Sequence, residues 1–171
     1  MAERVARVSG GLAELGIKIG DRVATLALNG LPQLELLFAC ARLGAILVPM
    51  NHRLTEPELC WIGSSAEPSL ICYEEEFAAP AAAVAETTGA RRVAIDAPGR
   101  GEIPYDTLRD AGAIPPLPLA PNTPWCILYT GGTTGQPKGA ILTHSSVLWN
   151  AINTDLSWGL REEDNAHHIH P

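Results

Sequence analysis

Between Tyr129 and Gly139 the chain reads YTGGTTGQPKG, a run of glycines and hydroxyls that ends in a lysine. Gly131, Gly132, Gly135 and Gly139 permit left-handed backbone and let a ligand approach the main chain closely, so successive amide groups can converge on an anion. Thr130, Thr133 and Thr134 add hydroxyl donors, and Lys138 adds positive charge. This is the chemistry that suits the oxygens of a polyphosphate. Two known glycine loops are excluded by the letters. A Walker A loop places Ser or Thr after its lysine, whereas Lys138 is followed by Gly139 and preceded by Pro137, which has no backbone donor. A dinucleotide fingerprint needs glycine two residues before Gly132, where Thr130 stands. From spacing alone a phosphate cradle and an ordinary flexible turn both remain open.

The flanking segments are of a kind that can hold such a loop. Trp125 to Tyr129 (WCILY) is an apolar strand that runs straight into it, and Ala140 to Leu142 reads as a brief strand after it. From Thr143, a hydroxyl residue suited to capping, Val147, Leu148, Ala151, Ile152 and Leu156 recur at helical spacing. Upstream, Glu3 to Leu15 has the pattern of an amphipathic helix, weakened by Gly10 and Gly11 at roughly 1 kcal/mol each. Arg22 to Leu28 reads as a strand. Pro32 opens a helix that Gly44 stops. That helix is so uniformly apolar that burial on most sides is expected. Ile46 to Val48 is the next strand, and Thr55 with Glu58 forms a capping box for a helix through Ser64. Ser69 to Tyr73, Glu74 to Thr88 and Arg91 to Ile95 repeat strand, helix and strand. The texture then changes to glycine and proline, and the stretch from Asp96 to Pro124 reads as a linker. Alternating strands and helices imply an α/β fold with a mostly parallel sheet and flanking helices. The organisation expected is a βα-repeat portion over 1–113, a proline-rich linker over 114–124, and the loop with its strand and helix over 125–171.

Composition removes several function classes. The net charge of −7 and the lack of a basic run argue against nucleic acid as a partner. The longest apolar run, from Leu34 to Pro49, is interrupted by Glu35 and Arg42 and is too short to span a bilayer. Cys40, Cys60, Cys72 and Cys126 form no CxxC pair and read as buried thiols of a reducing compartment, hence a cytoplasmic protein. With charged residues at only 18%, part of the surface is expected to be covered by something else. His144 reads as a polar residue at a helix start. His167, His168 and His170 are irregularly spaced without accompanying carboxylates, so they read as a frayed terminus rather than a metal site.

Taken as a whole string, YTGGTTGQPKG closely resembles the phosphate-binding signature of the adenylate-forming superfamily, which includes acyl-CoA synthetases. The match spans all eleven positions. GDRVATLALNG, LGAILVPMNHRLTEPEL and LTHSSVLWN resemble segments found around that signature in the same superfamily. The resemblance implies a partial N-terminal domain of the adenylate-forming fold, in an enzyme that uses ATP to adenylate a carboxylic acid and passes the acyl group to CoA. It implies that Thr130, Gly131, Gly132, Thr133, Thr134, Gly135 and Lys138 bind the ATP phosphates with Mg2+, whose ligands are not identified here, as the catalytic residues are not.

Members of that superfamily are several times longer, with their adenine, acyl and metal sites downstream of the matched segment. The chain is therefore expected to be a fragment, inactive alone and prone to self-association through an exposed sheet edge. Two alternatives stand beside this reading: a non-catalytic nucleotide-binding module, and a non-functional truncated product.

Overall fold

The computed structural model of the chain describes residues 1–99, 102–130, 136–159, 161 and 164. Helix and strand alternate as α1 (Ala2–Glu14), β1 (Arg22–Leu26), α2 (Leu31–Leu43), β2 (Ile46–Pro49), α3 (Glu56–Ala66), β3 (Leu70–Tyr73), α4 (Ala78–Thr88) and β4 (Arg91–Ala94). There follow β5 (Ile103–Pro104), α5 (Asp106–Arg109), β6 (Pro124–Thr130), β7 (Lys138–Thr143) and α6 (His144–Trp158). The strands form one sheet in the order β5-β4-β3-β1-β2-β6-β7. Every neighbouring pair is parallel except β6 and β7, which are antiparallel. The α/β class with a mostly parallel sheet is the class expected from the alternation.

Period-two alternation divides the core between the two faces of the sheet. Leu70 and Cys72 of β3 pack with Val8, Leu12, Leu36 and Leu43 of α1 and α2, whereas Ile71 and Tyr73 pack with Leu59, Ile62 and Val84 of α3 and α4. Local signals behave as their chemistry requires. The Glu58 carboxylate accepts from both the Thr55 amide (2.8 Å) and the Thr55 hydroxyl (2.7 Å) at the start of α3. Thr143 caps α6 by accepting from the Ser146 amide at 3.2 Å, and Gly44 ends α2 in the left-handed region at φ 75°. The helix expected over Glu74 to Thr88 begins as a 3-10 turn at Glu75–Phe77, and Pro80 then falls in the first turn of α4, where its missing amide costs nothing.

Three expectations are corrected. First, α2 is not buried on most sides: Leu31, Leu34 and Phe38 are 43–48% exposed, while Glu35 is fully buried. The carboxylate is tolerated inside because it is paired. Arg4 Nε lies 3.1 Å from one oxygen, while Arg109 Nε and the Tyr105 hydroxyl both donate to the other at 3.1 Å. Second, the stretch from Asp96 to Pro124 is not all linker. It contributes β5 and α5, and Tyr105 and Leu108 are among the most deeply buried side chains. Third, Gly10 and Gly11 are not defects in α1. A Cβ at Gly10 would lie 1.9 Å from the Gly112 carbonyl oxygen, and one at Gly11 would lie 2.5 Å from Leu108 Cα. Those glycines let the chain from α5 to Ile114 lie directly on the helix. Cys40, Cys72 and Cys126 are buried free thiols as expected, whereas Cys60 is only partly buried.

Candidate functional site

β6 and β7 set the ends of the glycine loop. β6 enters the sheet beside β2, with Leu47 opposite Cys126, and is pinned by Trp125, whose Nε1 donates to the Leu37 carbonyl at 2.8 Å. At the far end Tyr129 donates to Ser65 Oγ at 2.9 Å and meets the Trp61 ring edge-on at 6.1 Å. β7 then returns antiparallel, with Thr130 opposite Lys138 and Tyr129 opposite Gly139. Residues opposed in such a ladder lie about 5 Å apart at Cα. The two ends of the intervening segment, Thr130 and Lys138, are therefore held together by backbone pairing.

Of the predicted site residues, the structure brings Thr130 and Lys138 together as an exposed pair across the mouth of the loop. Gly131, Gly132, Thr133, Thr134 and Gly135 lie outside the described residues. Gly139 belongs to β7 and does not use the left-handed freedom that its type permits. Its contribution is clearance: a Cβ there would lie 2.7 Å from Ile127 Cγ2 and 3.2 Å from the Tyr129 ring. His167, His168 and His170 also lie outside the described residues. His144 begins α6 and stacks on Trp125 at 5.3 Å between ring centroids, with desolvation lowering its pKa.

β6 ends at Thr130 on the carboxyl edge of the parallel strands, the edge at which open α/β sheets bind ligands. A cleft of about 490 Å³ lies there, lined by the ends of β1, β2 and β6. Asn29, Gln33, Asn51, His52, Arg53 and Thr130 supply its polar wall, and among the described residues no carboxylate lines it. Gln33 Oε1 is buried there without a hydrogen-bond partner among the described residues. An acid-free wall that carries Arg53, beside the exposed Lys138, fits a polyphosphate. Sequence reading passed over Asn51, His52 and Arg53, although their place just beyond Pro49 and Met50, past the end of a βα-unit strand, marks them as edge residues. A magnesium site is a different matter. Mg2+ is bound through carboxylate, phosphate and water oxygens, and among the described residues no group of three or more His, Cys, Asp or Glu is placed to hold a metal. The described residues alone do not make that site. Among the described residues, no helix is long and apolar enough to cross a membrane.

The geometry agrees with what the chain is similar to. The family model described as AMP-binding enzyme matches residues 1–171. The chain is 40% identical over 158 residues to an indoleacetate–CoA ligase of Aromatoleum aromaticum, covering 90% of this chain and 31% of that protein. It is 36% identical over 167 residues to a feruloyl-CoA synthase of an Amycolatopsis species, covering 97% of this chain and 32% of that protein. In three dimensions it superimposes on a long-chain-fatty-acid-CoA ligase of Archaeoglobus fulgidus with a TM-score of 0.85 and 26% identity, over 95% of this chain and 33% of that one. The chain thus spans about a third of the length of the curated relatives it matches. With its family model matched from end to end and its relatives acyl-CoA ligases, the chain belongs to the AMP-binding enzyme family.

Proposed function

We propose that the chain supplies the ATP phosphate grip of an acyl-CoA synthetase. In the reaction of the whole enzyme, a carboxylate oxygen attacks the α-phosphorus of ATP and pyrophosphate leaves. The thiolate of CoA then attacks the acyl carbon and AMP leaves. Thr130 and Lys138, with the hydroxyls and amides of Gly131, Gly132, Thr133, Thr134 and Gly135, hold the β and γ phosphates as negative charge gathers on the departing pyrophosphate. Donors fixed in advance where charge develops give the largest electrostatic benefit. Mg2+, which the family resemblance implies, would neutralise phosphate charge if bound with the nucleotide. The observation that carries this reading is the Thr130 to Lys138 register, which closes the signature loop at the carboxyl edge of the sheet. The reaction belongs to the whole enzyme, located in the cytoplasm, and the 171 residues do not turn over alone.

The tests are ATP binding to the chain and ATP to pyrophosphate exchange with a panel of carboxylic acids. ATP binds, and Lys138→Ala weakens it about tenfold, the worth of one charge-assisted contact at an exposed position. ATP affinity indifferent to Lys138→Ala would remove the phosphate grip. Robust exchange by these residues alone would refute the claim that they do not turn over. The non-catalytic nucleotide-binding module gains ground if a monomeric, cooperatively folded chain binds ATP. The non-functional product gains it if the protein is not made.

A further inference from the structure

β6 joins the parallel part of the sheet where Cys126 stands opposite Leu47, and β2 ends soon after at Pro49, whose nitrogen has no hydrogen to extend a ladder. Among the described residues, Ile127 to Thr130 are laddered to β7 alone, with Tyr129 opposite Gly139 and Thr130 opposite Lys138. A two-stranded ribbon is marginal by itself, so the end that carries Thr130 and Lys138 needs a hold from outside the ladder. α3 supplies one. The Tyr129 hydroxyl donates to Ser65 Oγ at 2.9 Å, and the Tyr129 ring meets Trp61 edge-on at 6.1 Å between centroids. Trp61 and Ser65 stand four residues apart and so share one face of α3. Gly139 leaves the ring its place, since a Cβ there would lie 3.2 Å from Tyr129 Cζ. By period-two alternation Tyr129 and Gly139 share one face of the ribbon, and Thr130 and Lys138 share the other.

From this geometry we infer that Tyr129 is a positioning residue of the phosphate grip, set in place by Ser65 and Trp61 of α3. The inference rests on the proposed role of Thr130 and Lys138 as phosphate ligands and adds the element that aims them. Tyr129 directly precedes Thr130, so fixing its side chain fixes the direction in which β6 ends and the place of the Thr130 and Lys138 pair beside the cleft that Tyr129 and Thr130 both line. The ring contact and the hydrogen bond constrain different motions. Packing against Trp61 sets where the ring lies, and the bond to Ser65 sets how far it can swing. Ser65 is exposed, so the bond adds little to the stability of the whole fold. Its worth lies in holding donors in the geometry that an anion requires before the anion arrives. Losing it therefore weakens phosphate binding and leaves folding almost untouched.

The test is calorimetric titration of the 171-residue chain with ATP and, separately, with inorganic tripolyphosphate. Tyr129→Phe keeps the ring and removes only the donor, and Ser65→Ala removes only the acceptor. Each is expected to weaken binding of both ligands about fivefold, with cooperative unfolding unchanged. Because both substitutions delete the same bond, the double variant should be no weaker than either single one. Ser65→Thr keeps a hydroxyl and should restore the affinity that Ser65→Ala loses, which a general loss of packing would not do. Wild-type affinity in Tyr129→Phe and Ser65→Ala, or losses that simply add, while Lys138→Ala still weakens binding, overturns the positioning role and leaves the grip standing. A wild-type chain that binds neither ligand removes the grip and the positioning role together.

Discussion

Replacing Gly10 by alanine is expected to destabilise the protein, although helix propensity alone forecasts a gain of roughly 1 kcal/mol. The reason is the segment lying on α1. The new Cβ would sit 1.9 Å from the Gly112 carbonyl oxygen and 3.1 Å from its carbon. Close carbon to oxygen contacts begin near ~3.3 Å, so one backbone must retreat by roughly 1.4 Å. Two bonds anchor the segment next to that contact: Ile114 N donates to Ala6 O at 3.2 Å, and Arg42 Nη2 donates to Ile114 O at 2.6 Å. Losing both removes about 3 kcal/mol, the second counting more because its donor is charged. Against the propensity gain, the net loss is about 2 kcal/mol, or about 4–8 °C in melting temperature for a chain of this size. Urea and thermal unfolding followed by circular dichroism read this directly. Gly112→Ala is the control from the other side of the same contact, since nothing lies within 4 Å of a Cβ there. It should be neutral or slightly stabilising. A Gly10→Ala protein as stable as wild type, or more stable, would refute the packing argument.

The remaining predictions concern charge. Glu35→Ala leaves the Tyr105 hydroxyl without its buried carboxylate and parts α2 from Arg4 and Arg109, so urea unfolding should show a loss of about 3 kcal/mol. No loss would mean that the two arginines simply rehydrate and the cluster holds nothing together. The Glu58 carboxyl is held below its ordinary value of 4.5 by its hydrogen bonds from the Thr55 hydroxyl and amide. Because the folded value is depressed, the associated stability is full above about pH 4.5 and is lost as pH falls through the lower folded value. Following the Glu58 carboxyl by NMR titration should show that depression, and Thr55→Ala should raise the value toward normal. An unchanged titration in Thr55→Ala would exclude the capping box as its cause.

Much of the fold was legible because its cues are local. The Thr55 and Glu58 box, the Gly44 stop and the alternation of short β-rich runs with helical spacing each concern residues a few positions apart. What was not legible depends on partners far away in sequence. An apolar helix such as α2 reads as buried all round until Arg109, 74 positions beyond Glu35, is known to meet it. The exposure of Leu34 and Phe38 follows from that choice of inward face. Likewise, the two glycines of α1 look like weaknesses until the chain near Leu108 and Gly112 is placed against them. A stretch of scattered glycine and proline reads as linker although Tyr105 and Leu108, just four residues of helix and its entry, fill a hole in the core.

The candidate site divides along the same line. A phosphate grip must present many donors to one small anion, so its residues are consecutive and their types are written side by side from Thr130 to Lys138. The cleft next to it is assembled from the ends of strands whose neighbours in space are not neighbours in sequence. β2 lies between β1 and β6, so Asn51, His52 and Arg53 share a cleft with Thr130 only through a strand order that no short motif encodes. Such residues become visible from sequence through one rule: in a parallel sheet, the positions just after each strand converge on a common edge. Applied to β1, β2 and β6, that rule selects Asn29, Asn51 to Arg53, and the loop itself. Thr130, where the proposed grip begins, and the wall beside it thus lie at one edge of one sheet.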